Sequence, residues 1–184
     1  MSDSKPEIQT LSSAVTYESR WIRVCHDEVR FADGSIGSFN TVERGNFVAI
    51  IPIDEDGNIY LVEQYRYGAK KRTIELPMGG VDRKYGADPV DSARGELLEE
   101  TGLDAQEMVH VGRIDVNAAY MRQHFDVYLA TKLRPGAQAL EAGEIGLEVR
   151  RMPVAQMEEL IRQGILTNEH TLSALYLAHL KGLI

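Results

Sequence analysis

The stretch from Phe47 to Ile53 reads Phe-Val-Ala-Ile-Ile-Pro-Ile, with no polar interruption. A strand that alternates polar and apolar residues can leave one face in water. A continuous apolar run needs cover on both faces. The chain must therefore supply layers for both sides of a sheet. Helical patterns over Asp88–Thr101, Val154–Arg162 and Asn168–Leu180 can supply them, and they are mixed at irregular intervals with strand patterns. This points to an α/β or α+β arrangement around one sheet. No internal repeat or low-complexity segment interrupts it.

The remaining strands are shorter signals. From Thr16 to Glu43, Trp21, Ile22, Val24, Val29 and Phe31 alternate loosely. Asp33-Gly34 marks a hairpin turn, with Ser38–Val42 as the returning strand. Asp56-Gly57-Asn58 turns the chain into a strand over Ile59–Gln64. The Asp54-x-Asp56-Gly57 stretch is not a calcium loop, because Gly57 comes too early for one. Val109–Val116, His124–Lys132 and Leu147–Met152 read as strands, and residues 134–146 as a loop rich in Gly and Ala. Residues 1–13 are polar and predict a frayed start.

Charge narrows the partners. Against 20 Lys and Arg stand 28 Asp and Glu, a net charge of −8 over 184 residues. An acidic surface disfavours nucleic acid and anionic membranes. It still admits an anionic small molecule where an Arg cluster or a metal inverts the field locally. Cys25 is the single cysteine, so no internal disulfide can form. Met1–Thr10 has no apolar core of signal-peptide length, and no run approaches the ~18 apolar residues of a membrane span. A soluble cytoplasmic protein is expected.

The helix over residues 88–101 is the sharpest element. Asp88 can cap it, Pro89 suits the first helical position, Asp91 suits a capping box, and Gly102 ends it. Val90, Ala93 and Leu97, with Leu98 beside them, form its apolar face. Its acids are placed badly. Glu96 pairs with Glu99 and Glu100 at helical spacing, and Glu99 and Glu100 lie at the negative end of the dipole. The repulsion sums to roughly 1–3 kcal/mol. A solvated acidic helix end is the ordinary alternative. A hard divalent cation such as Mg²⁺ or Mn²⁺ would reverse the sign.

The surroundings of that helix carry a resemblance. Glu75-Leu76-Pro77-Met78-Gly79-Gly80, followed by Gly95-Glu96-Leu97-Leu98-Glu99-Glu100-Thr101-Gly102-Leu103, resembles the Nudix box, G-x5-E-x7-R-E-U-x-E-E-x-G-U, where U is a bulky aliphatic. Trp21-Ile22-Arg23-Val24, Leu61–Tyr67 and the segment from Glu148 onward are similar to the branch of ADP-ribose and nucleoside-diphosphate-sugar pyrophosphatases. The resemblance covers roughly residues 16–182. It implies an α/β/α Nudix sandwich with a mixed sheet (residues 45–184) and an N-terminal antiparallel β arm (residues 1–44). Two positions depart from the box. Gly95 stands where the box has Arg, and Ala87, two residues further from Gly79 than the motif sets, stands where it has Glu. In the family that Glu and that Arg brace the box. Arg94 lies about 100° away around the helix and cannot simply substitute.

The resemblance also implies a reaction and its residues. The expected activity is Mg²⁺-dependent hydrolysis of ADP-ribose or a related nucleoside-diphosphate sugar to a nucleoside monophosphate and a sugar phosphate, with Mn²⁺ an alternative ion. Glu96 and Glu100 are the main metal ligands, Glu99 ligates directly or through water, and the Met78 carbonyl completes the set. The general base comes from the acidic loop holding Glu141 and Glu144, with Glu144 favoured. Arg66 binds phosphate, for which its planar fork is suited, and Gly79 lines the substrate. Lys70-Lys71-Arg72 reads as a basic loop that could steer an anion. Trp21 and Arg44 belong to the arm, which in related enzymes forms homodimer contacts and helps hold the nucleobase; Trp21 could equally be a buried packing residue. The histidines show no metal-ligand spacing among themselves. Two alternatives remain: a catalytically weak Nudix-like sensor of nucleotide sugars, and a diphosphate isomerase, for which Cys25 is badly placed.

Overall fold

The computed structural model describes residues 7–81, 85–86, 88–140 and 142–184; Ala87 and Glu141 lie outside these residues. Along the chain run β1 (Ile8–Glu18), β2 (Arg23–Phe31), β3 (Ile36–Glu43), β4 (Phe47–Pro52), β5 (Asn58–Arg66), β6 (Lys71–Glu75) and β7 (Met78–Gly80). Then come α1 (Pro89–Thr101), β8 (Leu103–Asp115), β9 (Met121–Arg122), β10 (His124–Pro135), a short 3-10 turn (Ala142–Glu144), β11 (Glu148–Pro153), α2 (Val154–Arg162) and α3 (Glu169–Leu180). The chain divides into two compact units, one taking the chain up to Asn46 together with Asp115–His124, the other Phe47–Ile114 and Phe125–Ile184.

The first unit is a sheet in the order β1-β2-β3-β9. Its first three strands are antiparallel and β9 joins β3 in parallel. The frayed start predicted for residues 1–13 is corrected here: residues 8–13 belong to β1, paired from Ile8↔Phe31 to Glu18↔Arg23. β1 is exposed along its whole length, so no alternation of apolar residues announces it. Ladder hydrogen bonds and the buried Asp27 hold it instead. The Asp27 carboxylate accepts from Ser13 at 2.5 Å, Thr41 at 3.2 Å and Arg122 at 3.0 Å, which ties four strands to one group.

In the second unit β4 lies inside the sheet β7-β4-β10-β8, parallel to β10 and antiparallel to β7. Both its faces are covered, as the apolar run requires. Val48 and Ile50 pack with Ala93 and Leu97 of α1 and with Tyr128 and Ala130 of β10. On the opposite face Phe47 stacks on Phe125 with centroids 4.8 Å apart, and His170 of α3 meets both rings edge-on. α1 and α3 therefore sandwich this mixed sheet. Leu97 is fully buried, so Leu97→Ala should cost about 2–5 kcal/mol. A second sheet, β11-β5-β6, is antiparallel throughout.

α1 starts and stops where its sequence demands. The Asp88 side chain accepts the Val90 N–H, Pro89 opens the helix, and Gly102 closes it at φ 68°, donating to the Leu98 carbonyl at 2.9 Å. The hairpin at Asp54–Asn58 also forms, with Asp54 accepting from the Asp56 and Asn58 N–H groups. Three further short strands were not anticipated, β6, β7 and the two-residue β9. The basic loop expected at Lys70–Arg72 is mostly strand: Lys71 and Arg72 belong to β6, and Arg72 is committed to Glu63, Glu148 and the Gly146 carbonyl. No helix among the described residues is long and apolar enough to cross a membrane.

Candidate active site

The site is built at one end of α1. β7 pairs with β4, and its Met78 N–H donates to Glu100 Oε2 at 3.0 Å. The next residue, Gly79, lies flush against the Glu96 carboxylate, and a Cβ at position 79 would overlap it. The short β7 strand is thus a backbone shelf on which two acids of α1 rest. Leu76, just before it, donates its N–H to the buried Thr171 hydroxyl at 2.9 Å, which fixes the shelf to α3.

The third acid arrives from the loop after β10. That loop is stapled to the last turn of α1, where helix carbonyls lack intrahelical donors. Gly136 N–H donates to the Gly102 carbonyl at 2.7 Å, the Gln138 side chain to the Glu100 carbonyl at 2.6 Å, and Ala139 N–H to the Glu99 carbonyl at 3.1 Å. At its far end Arg72 holds the Gly146 carbonyl. Between these anchors lies Glu144. Among the described residues, carboxylate oxygens of Glu96, Glu100 and Glu144 all lie within 4.8 Å of one another. Glu99 is half-buried and is not one of this group.

Electrostatics make the cluster costly as it stands. Glu100 is 1% exposed and Glu96 9%. Burial, then the neighbouring Glu144 and Glu96 charges, push the Glu100 pKa well above the usual carboxylate range, against the Met78 N–H and Arg66. Three convergent carboxylates, one of them buried and hard to ionise, with a backbone cradle that leaves no room for a side chain, form a donor set that fits a hard divalent cation.

Arg66 stands beside this cluster; against the pull of burial, Glu75 first and then Glu100 and Glu144 raise its pKa. Its Nε and Nη2 grip the fully buried Glu75, with Nη2 at 2.7 Å, while Thr73 donates to the same carboxylate. Its Nη1 has no hydrogen bond among the described residues and can accept an anion. Glu75 was missed as a site residue. The signal was present: once Arg66 pairs with Lys71 in a hairpin, a period of two puts Thr73 and Glu75 on the face of Arg66.

The other expected residues have surroundings of their own. Trp21 is 66% exposed, with the Arg20 guanidinium 4.2 Å over its ring, so it is not a buried packing residue. Arg44 is exposed, and both belong to the first unit. Arg94 points to the Ala105 carbonyl and Asp104 and does not stand in for the box Arg. Cys25 is buried in β2.

Shelf, acidic helix and sandwich together define the class. The NUDIX domain profile matches residues 43–174, and the chain belongs to that family. Residues 8–42 match the nucleoside diphosphate sugar hydrolase N-terminal domain. Among individual relatives, an ADP-ribose pyrophosphatase of Mycobacterium tuberculosis is 30% identical over 94% of this chain and 84% of its own length. The ADP compounds hydrolase NudE of Escherichia coli is 26% identical over 99% of this chain and 98% of its own. A solved ADP compounds hydrolase shares the fold at a TM-score of 0.85, with 23% identity and complete coverage of both chains.

Proposed function

We propose that the protein hydrolyses the pyrophosphate bond of ADP-ribose or a related nucleoside-diphosphate sugar, releasing a nucleoside monophosphate and a sugar phosphate. The observation that carries this reading is Glu100, a buried carboxylate between Glu96 and Glu144 with Arg66 beside it. Such a group is unfavourable alone and favourable around a cation that shares a diphosphate with an arginine. The names of the bacterial relatives, which cover nearly the whole chain, support the substrate class.

Glu96, Glu100 and the Met78 carbonyl hold Mg²⁺, or Mn²⁺ in its place, with Glu99 reaching it from outside the group directly or through water. Once bound, the cation neutralises phosphate charge and lowers the pKa of water. Glu144 takes a proton from the attacking water as the new oxygen–phosphorus bond forms and the bridging bond breaks. Arg66 offers its Nη1 edge to a diphosphate oxygen. Gly79, with no side chain between its backbone and the Glu96 carboxylate, lines the substrate beside the cation.

The arm, residues 1–44, contributes recognition and assembly in this reading. Exposed Trp21 offers a ring face to the nucleobase, and Arg44 a charge. Ile8, Leu11, Val15 and Tyr17 are exposed along β1, which supports a homodimer through the arm. The reading places the protein in the cytoplasm, where such nucleotides circulate.

The test is phosphate-bond cleavage on ADP-ribose, ADP-glucose, GDP-mannose, UDP-glucose and dinucleoside polyphosphates, with Mg²⁺ and with EDTA. Metal-dependent release of a nucleoside monophosphate is expected. A sensor of nucleotide sugars is the second reading, favoured by Gly95 at the box Arg position. It predicts thermal stabilisation by a ligand with no turnover of any.

A further inference from the structure

The segment between the Gly79 shelf and α1 lacks the Glu–Arg brace of the resembling box, yet its described residues Tyr85 and Gly86 are seated on the helix. Tyr85 lies across Gly95. A Cβ at position 95 would overlap the Tyr85 ring, and would stand 2.7 Å from its Cζ. The Tyr85 hydroxyl is buried. One residue on, Gly86 lies so close to the Asp91 carboxylate that a Cβ there would overlap it. Asp91 and Gly95 are one turn apart on α1, so two consecutive loop residues sit on consecutive turns of one helix face. Glu99 is the next position of that row, and Glu96 is the immediate neighbour of Gly95.

The spacing is informative. Counted from Gly79, Tyr85 falls where G-x5-E sets the box Glu; Gly95 falls where the box has Arg. The two positions still touch, but as ring on backbone. The volume an Arg side chain would need is filled by the ring, and no orphan charge is left.

We infer that Tyr85 is a positioning residue: seated on Gly95, it takes over the bracing of the shelf-to-helix loop and so sets the Glu96 and Glu100 carboxylates for the cation. This rests on the reading of those two acids as metal ligands. Supports of ligands commonly change metal affinity by about tenfold or more when removed.

The test uses the full chain and Mn²⁺ alone, followed by calorimetric titration without substrate. Tyr85→Ala should weaken Mn²⁺ binding about tenfold while thermal unfolding in EDTA stays cooperative. Tyr85→Phe, which keeps the ring, should stay within about threefold of the parent protein. Gly95→Ala, which displaces the ring, should resemble Tyr85→Ala, and the double variant should be no weaker than the weaker single one, as coupled sites require. Equal Mn²⁺ affinity in Tyr85→Ala and the parent, or losses that multiply in the double variant, would overturn the inference. Should Tyr85→Ala not fold, Gly95→Ala decides alone, because Ala favours the helix more than Gly does; unchanged affinity there overturns it. ADP-ribose hydrolysis separates the two ideas. An inactive parent whose Mn²⁺ binding still depends on Tyr85 refutes the hydrolase and keeps the brace. An active parent whose Mn²⁺ binding ignores Tyr85 does the reverse. A parent that binds no Mn²⁺ refutes both.

Discussion

Replacing Glu100 by Gln separates stability from function. Glu100 shares its site with Glu96 and Glu144, with carboxylate oxygens within 4.8 Å. At that distance and an effective dielectric near 20, one like-charge pair costs about 3.5 kcal/mol. Arg66 and the Met78 N–H return much of this, and a net of about 2 kcal/mol is expected from removing the charge. Gln keeps an oxygen for the Met78 N–H. In EDTA near pH 8, Glu100→Gln should therefore melt about 4–8 °C above the parent. The pH dependence has a fixed sign. Because the folded pKa of Glu100 lies above its ordinary 4.5, its contribution is intact below that value and is lost as pH rises through the folded pKa. The gap between the two proteins should shrink toward pH 5. Mg²⁺ should stabilise the parent and leave the variant unmoved, and kcat should fall about a hundredfold or more. Thermal melts across pH, with and without Mg²⁺, read all of this. A variant less stable than the parent in EDTA near pH 8, or a gap that ignores pH, would refute the reasoning.

Gly79→Ala puts a methyl where the Glu96 carboxylate rests; the Mg²⁺ concentration for half-maximal activity should rise about tenfold, read from activity against metal. Arg66→Lys keeps the charge but breaks the two-toothed grip on Glu75; KM for ADP-ribose should rise about tenfold with a smaller change in kcat, read from initial rates. Asp126→Asn tests a network outside the site: against the pull of burial, hydrogen bonds from Arg113 and His110 hold the Asp126 pKa below its ordinary 3.8. The variant should lose about 2 kcal/mol near pH 7. The parent should lose that advantage as pH falls through the depressed folded pKa, as denaturant melts near pH 3 and pH 7 would reveal.

The sequence made α1 legible because its signals are local. Asp88, Pro89 and Gly102 each act within one turn, and the structure keeps all three. β4 was legible for a similar reason, since an apolar run reports its own burial. β1 was not, because a strand exposed on both faces carries no alternation and is fixed by Asp27 from a neighbouring strand. Lys71 and Arg72 misled for the converse reason. Consecutive cations suggest a solvated loop until Glu63 and Glu148 are seen to receive Arg72. Glu144 was reached only through the family resemblance, whereas Glu75 and Tyr85 needed the fold itself, since one meets Arg66 after β5 and β6 pair and the other meets Gly95 after its loop docks.

The acids of α1 are where sequence and structure argue most directly with each other. An acidic helix end that serves only solubility keeps its carboxylates in water, where repulsion costs a few tenths of a kcal/mol per pair. Glu96 and Glu100 lie instead on the inner side of α1, next to fully buried Ala93 and Leu97, against the Gly79 shelf. The loop after β10 then brings a third carboxylate inward, using the same N–H groups that cap the helix carbonyls. A chain selected for stability alone would place Gln or Leu at position 100. Buried like charges, a Gly79 backbone with the Glu96 carboxylate flush against it and Arg66 beside them form an arrangement that a cation, and then an anion, would turn from unfavourable to favourable.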